Sequence, residues 1–313
     1  MTPDGFAVSM EAICRDHMAL GEQEKLLVVA DSATAELAAA MVDGAVAAEC
    51  NCSLAVVDEV LRAGQAPPGF NEQLLTMVPA VLLVTSRSLS NTQARRHACY
   101  DHGTRIASLP GLTENMLSRL FAPGSADTVV SNTLALAMEV DGARSVRLEG
   151  PAGTKLSLSV EGRKLYLDTG LYNAPGNFGN LPAGEVAWSP VPGSAHGRIV
   201  ADVAFAGLGA VQGLELIIES GCLVEANGSR ADELLELLCG QPERVLGEFG
   251  IGCNSLARPS AITLEAEKAV GTVHFGFGDS RSFGGDNAAT GHWDCVVCCP
   301  RLQIDNRVVE LIP

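Results

Sequence analysis

Residues 25–31, KLLVVAD, are a short aliphatic run that stops at a polar turn, and the Ala-rich stretch behind it, Ala33 to Glu49, has helix-forming composition over a helical length. Together they read as one βα unit. The pattern recurs: Leu54 to Val57, Ala80 to Thr85 (AVLLVT) and Arg105 to Leu109 are further aliphatic runs. They alternate with helix candidates around Asn91 to Tyr100 and Thr113 to Phe121. Such alternation predicts an α/β domain over residues 1–140, with a mainly parallel sheet covered by helices on both faces. No G-x-G-x-x-G follows the first strand, so a dinucleotide cofactor is not expected there.

From about Ser145 the period changes to two. VRLEG, TKLSLSVEG and KLYLDTG alternate apolar and polar residues and are separated by Gly-containing turns, the signature of antiparallel strands. Gly- and Pro-rich connections follow around Asn173 to Gly184. Strand candidates then lie near Ile199 to Phe205 and Leu214 to Ser220, with one helix at Arg230 to Cys239. The second domain, residues 141–313, is therefore expected to be α+β with mainly antiparallel strands.

Composition narrows the function. The chain has 313 residues, 47% of them hydrophobic, enough for two cores. A net charge of −16 disfavours binding to a phosphate backbone, and an aromatic content of 4% leaves few platforms for stacking bases. A small-molecule or short-peptide substrate suits this surface better than nucleic acid. No apolar run reaches the roughly 20 residues that span a bilayer. The start, with Asp4, Glu11 and Asp16, lacks the basic-then-apolar order of a signal peptide. The expectation is a soluble, cytoplasmic protein whose scattered cysteines are reduced thiols.

Candidate chemistry concentrates in the second half. Residues two apart on a strand share a face, so His292 and Asp294 of H-W-D can offer an imidazole and a carboxylate to one ion. Glu248, in LGEFGIGCN, and His274, in GTVHFGFGD, stand in apolar settings where an unpaired polar group is costly, and a metal would remove that cost. Glu185, in LPAGEVAWSP, is a further acidic candidate, although a Glu after Gly is commonly a solvated turn residue.

These stretches carry a resemblance. RIASLPGLTENML at 105–117, NLPAGEV at 180–186, GEFGIGCN at 247–254, EAEKAVGTVHFGFGD at 265–279 and HWD at 292–294 resemble, in order, the M29 metallo-aminopeptidases, the aminopeptidase T and aminopeptidase S family. The resemblance implies that Glu185, Glu248, His274, His292 and Asp294 hold one or two divalent ions (zinc, manganese or cobalt). These would activate water for attack on an amide or related carbonyl. It also implies a homodimer. The peptidases place a tyrosine shortly after the strand histidine, where this chain has Asp279 to Phe283, a departure that bears on peptide hydrolysis.

The 2,5-dihydroxypyridine 5,6-dioxygenases, a second branch of the same superfamily, also carry a late HxD pair. That resemblance implies a single Fe(II) on His274, His292 and Asp294, two histidines and a carboxylate. His196 in GSAHG and His102 in YDHGTR are acid–base candidates beside Glu185, with surface imidazoles as the plainer reading. A third alternative is a drifted scaffold that only binds a ligand. Cys295, Cys298 and Cys299 form C-V-V-C-C, more simply small buried hydrophobes than a zinc site, with Cys295 close enough to the ion to be open to oxidation. Gly284 and Gly285 read as a mobile loop that closes over substrate or simply joins two strands. Lys268 and Arg281 are candidate carboxylate or oxyanion partners, with a solvated surface position as the default.

Overall fold

The computed structural model describes residues 1–298 and 301–311 and divides into two compact units, Met1–Val130 with Gly170–Ala183, and Ser131–Thr169 with Gly184–Pro313. In the first unit, α1 (Pro3–Ala12) precedes β1 (Leu26–Asp31), α2 (Ala35–Ala47), β2 (Cys52–Val57), β3 (Ala80–Val84), α3 (Gln93–His102), β4 (Arg105–Ser108) and α4 (Glu114–Leu120). All of β1, β3 and β4 are buried, as strands covered on both faces must be. Thr92 Oγ1 caps α3 by accepting from the Arg95 amide, and Gly103 ends the helix at φ 70°, where only glycine is unstrained.

Helix α5 (Ser125–Val140) runs on into the second unit, followed by β5 (Ser145–Glu149), β6 (Lys155–Ser159) and β7 (Tyr166–Asp168). The chain then contributes β8 (Phe178–Asn180) to the first unit. The parallel sheet has the order β2-β1-β3-β4-β8. A single cut between residues 140 and 141 thus differs from this division at α5 and at residues 170–183. The three-residue β8, Phe-Gly-Asn, is too short to show any period.

The rest of the second unit comprises β9 (Glu185–Trp188), β10 (His196–Ala201), β11 (Ala204–Phe205), β12 (Gly209–Ala210), β13 (Leu214–Glu219), β14 (Cys222–Asn227) and α6 (Ala231–Leu237). After them come β15 (Leu246–Gly252), α7 (Thr263–Ala266), β16 (Thr272–Gly278), β17 (His292–Cys298), β18 (Arg301–Ile304) and β19 (Arg307–Val309). They build two antiparallel sheets, β14-β13-β10-β6-β5-β18-β19 and β12-β11-β17-β16-β15-β9-β7. The α/β and mainly antiparallel halves expected from the sequence are both present. The stretch from Ile199 to Phe205 is not one strand: the chain changes sheets between β10 and β11, and Asp202 accepts there from the Cys298 amide.

One core joins the two sheets. Val146, Leu148, Leu156, Ile199 and Leu216 come from the first, and Trp188, Phe249, Phe275, Phe277 and Val297 from the second. Each such aromatic contributes on the order of 1.5–3 kcal/mol by burial. Strand alternation then leaves the other face of the second sheet for side chains of a different kind. No helix among the described residues is long and apolar enough to cross a membrane.

Candidate metal centre

In GEFGIG and HFGFG the large residues point one way and everything else the other. Phe249, Ile251, Val273, Phe275 and Phe277 enter the core, so Glu248, Gly250 and Gly252 of β15 and His274, Gly276 and Gly278 of β16 share the opposite face. Pairing sets Glu248 opposite Gly276 and Gly276 opposite Asp294, Gly250 opposite His274, and Gly252 opposite Glu185. Every ligand-type side chain therefore has a glycine beside it. A Cβ on Gly250 would fall on the His274 ring, and one on Gly276 would fall on the His292 ring and crowd Glu248.

The five residues singled out as ligands meet here, from four adjacent strands of the second unit. His292 Nε2 lies 2.8 Å from Glu248 Oε2 and 3.0 Å from Asp294 Oδ1. His274 Nε2 lies 3.2 Å from Glu185 Oε2 and 3.6 Å from Glu248 Oε1. Two sets of ligand atoms result, Glu185–Glu248–His274 and Glu248–His292–Asp294, with Glu248 in both. Glu185 is buried at the start of β9 rather than solvated in a turn.

Hydrogen bonding tests whether a cation suits the site. The Asp279 carbonyl, 2.8 Å from His292 Nδ1, can only accept, so Nδ1 donates. In the neutral ring, Nε2 then turns its lone pair toward two carboxylates. Glu185 Oε2 and His274 Nδ1 are buried without a hydrogen-bond partner. Two like charges about 4 Å apart repel by roughly 4 kcal/mol at an effective dielectric of about 20, a large share of a typical domain's stability. The residues therefore fit a divalent cation, with the imidazole orienter usual for metal-bound histidine.

Charge compensation follows in the metal-free side chains. Burial works against a charged His292, but Asp294 and Glu248 outweigh it and hold the imidazole well above its ordinary range. Burial is likewise overridden at His274 by Glu185, Glu248 and Glu267, raising it to about 9. Glu248 and Asp294 are held below the usual carboxylate range, despite burial, by His274 and His292. Glu267 differs: burial pushes it up to about 8 even beside Lys268.

Two further segments bring groups to the centre. The backbone of residues 267–269 crosses over Gly252 so closely that a Cβ there would meet the Glu267 and Ala269 carbonyls. This crossing delivers Lys268, which is buried with Nζ 2.6 Å from Glu185 Oε1, 3.0 Å from Glu267 and 3.6 Å from Asp168. On β7, Tyr166 and Asp168 pair with Ala187 and Glu185 and so share the site face. The half-buried Tyr166 ring packs edge-on against Phe283, at 5.5 Å between centroids, and Phe283 lies 5.2 Å from the His292 ring. A tyrosine thus faces the centre from β7 rather than from the segment after His274. Burial and the neighbouring acids raise its phenol.

The remaining candidates lie elsewhere. His196 is exposed on the outer face of the other sheet, where it accepts from the Ser220 amide. His102 is exposed at the end of α3 in the first unit, its Nε2 3.2 Å from that of His97. Neither is gathered with the five ligand-type residues, because each points to solvent from its own element. Cys295 is not beside the proposed ion: it faces the core, fully buried, and burial raises its thiol, so the expected sensitivity to oxidation is corrected. Cys298 is half-buried, and Cys299 lies outside the described residues. Arg281 is exposed and pairs with Asp279, whereas Lys268 is not the solvated residue of the default reading. The Gly284–Gly285 loop is pinned by Arg163, which donates to the Gly284 carbonyl, and by Asn287, which donates to the carbonyls of Gly278 and Pro242.

A family model described as 2,5-dihydroxypyridine 5,6-dioxygenase matches residues 18–310. No curated protein matches the chain in sequence. Among solved structures, the fold is similar to that of a 2,5-dihydroxypyridine dioxygenase from Pseudomonas putida KT2440, with a TM-score of 0.79 and 16% identity over 99% of this chain and 96% of that one. It is also similar to AmpT from Thermus thermophilus, with a TM-score of 0.68 and 16% identity over 96% and 94% of the two chains. At such identity the structural likeness is one of fold.

Proposed function

The chain belongs to the 2,5-dihydroxypyridine 5,6-dioxygenase family, and from this premise we propose that it is a metal-dependent enzyme that opens a small hydroxylated aromatic ring with O₂. The observation that carries this reading is the place of His292 Nε2, 2.8 Å from Glu248 Oε2 and 3.0 Å from Asp294 Oδ1, with Nδ1 committed to the Asp279 carbonyl. Glu248, His292 and Asp294 would hold the ion, with His274 beside Glu248 as a second imidazole. Fe(II) bound there would supply a redox-active Lewis acid with positions open to substrate and O₂.

The chain's own residues would do the rest. Tyr166 and Phe283 stand beside the His292 ring and would bind a flat substrate by edge and face contacts.

A second reading is hydrolysis of an amide or related carbonyl in a small substrate, with zinc, manganese or cobalt. The shared place of Glu248 in both ligand sets favours it, since a carboxylate between two ions is common in two-metal hydrolases. The test loads protein purified anaerobically with Fe(II), Zn²⁺, Mn²⁺ or Co²⁺ in parallel. Each form is assayed for O₂ uptake with 2,5-dihydroxypyridine and related hydroxypyridines, and for hydrolysis of aminoacyl anilides. Substrate-dependent O₂ uptake confined to the iron form is expected. Turnover of anilides alone would replace this reading with the hydrolytic one, and no turnover in any form would leave a ligand-binding scaffold.

A further inference from the structure

Glu248 belongs to two ligand sets, but the sets are not equivalent. On one side, Glu248 and Asp294 carry two negative charges with only imidazole between them, which one dication balances. On the other, Glu185 already has a cation: Lys268 Nζ, 2.6 Å from Oε1, shared with Glu267 at 3.0 Å and Asp168 at 3.6 Å. The amine is 3% exposed and cannot swing into water. Three carboxyl groups lie within 3.6 Å of it, an arrangement that favours the ammonium form. A second dication on Glu185 would sit against this fixed ammonium in a poorly screened interior, where like charges a few ångström apart repel strongly.

We propose that the Lys268 ammonium stands in place of a second metal ion, so that the centre takes one ion, on the Glu248–His292–Asp294 side, and Glu185 serves as the partner of Lys268. This rests on the metal-centre reading above. The backbone crossing at Gly252 is the structural device, since it holds residues 267–269 close over the sheet, with Lys268 Nζ against Glu185.

The experiment measures ions per chain by elemental analysis and by calorimetric titration of metal-stripped protein with Mn²⁺ and Zn²⁺. Wild type, Lys268→Met, Lys268→Arg and Glu185→Gln are compared, each checked for folding by circular dichroism. About one ion is expected in wild type and Lys268→Arg, about two in Lys268→Met, and one, with less than a tenfold loss of affinity, in Glu185→Gln. Two ions in wild type, one in a folded Lys268→Met, or loss of the ion in Glu185→Gln would each overturn the proposal. The Glu185→Gln arm decides it should Lys268→Met not fold. No ion in wild type with any metal would instead remove the metal-centre reading itself, and this inference with it.

Discussion

Gly276 makes room for His292: the two lie on neighbouring strands, and a Cβ at Gly276 would overlap the imidazole at Cε1 and Nε2. Gly276→Ala is therefore expected to push the ring away from Glu248 and Asp294. Overpacking of this kind costs about 1–3 kcal/mol, and a displaced ligand costs metal affinity in addition. Titration with Mn²⁺ should show at least a tenfold weaker Kd for Gly276→Ala. Gly21→Ala, where a Cβ makes only ordinary contacts with Glu24, should leave Kd and Tm unchanged. Wild-type affinity in Gly276→Ala would mean that His292 is not a ligand.

Glu248 stands in both sets of ligand atoms and is almost wholly buried, while His292 stands in one. Glu248→Gln keeps the shape and removes the charge. It should lower metal affinity by roughly 100-fold or more, at the upper end of what loss of an orienting partner alone would cost. His292→Ala should abolish metal binding while leaving the fold in place, because its ring lies at the open edge of the site rather than in the core. Far-ultraviolet circular dichroism together with elemental analysis separates the two effects, and a folded His292→Ala that retains its ion would sink the assignment.

How much of this was legible in the sequence depended on period. The β-rich second half, the shared face of His292 and Asp294, and the awkwardness of Glu248 and His274 among apolar residues follow from alternation alone. The same rule applied to Y-L-D places Tyr166 and Asp168 on one face, so their shared direction is present in the sequence as well. Lys268 carries no such signal. It reaches Glu185 because a turn crosses Gly252, and the close approach of two backbones distant in sequence has no period to read. Only residue type marks His196 and His102 in the sequence, and the structure gives each its own exposed surroundings.

The metal-free protein should lose stability as pH rises from neutrality. His274 is raised to about 9, against about 6.5 in an unfolded chain. Its ion pairs are therefore fully stabilising below about pH 6.5 and are lost as pH climbs through 9. Glu267, raised to about 8, acts in the same direction, since the fold keeps a proton that the unfolded chain has released. Glu248 and Asp294 are lowered, so their contribution is already complete in this range. Melting curves of chelated protein from pH 6.5 to 9 should show a falling Tm. A divalent ion should oppose this fall, because metal binding requires the deprotonated ligands that higher pH supplies. A chelated protein equally stable at pH 9 would contradict the charge assignment at His274.

Phe283 and Tyr166 differ in what they offer a substrate, and their variants should differ accordingly. Phe283 touches both the Tyr166 and His292 rings from a loop held by Arg163 and Asn287, and it is only half-buried. Truncation to Ala removes a stacking surface worth about 1.5–3 kcal/mol when covered. The expected result is a KM raised by roughly tenfold to 100-fold with metal content unchanged. Tyr166→Phe keeps the ring and loses only the phenol. Under the ring-opening reading it should leave KM within about threefold, because the ring is what packs against Phe283. If the phenol instead acts on the reacting group, kcat falls and KM holds, moving Tyr166 from wall to catalytic residue. Steady-state kinetics of both variants, with metal content measured on the same samples, distinguish these outcomes.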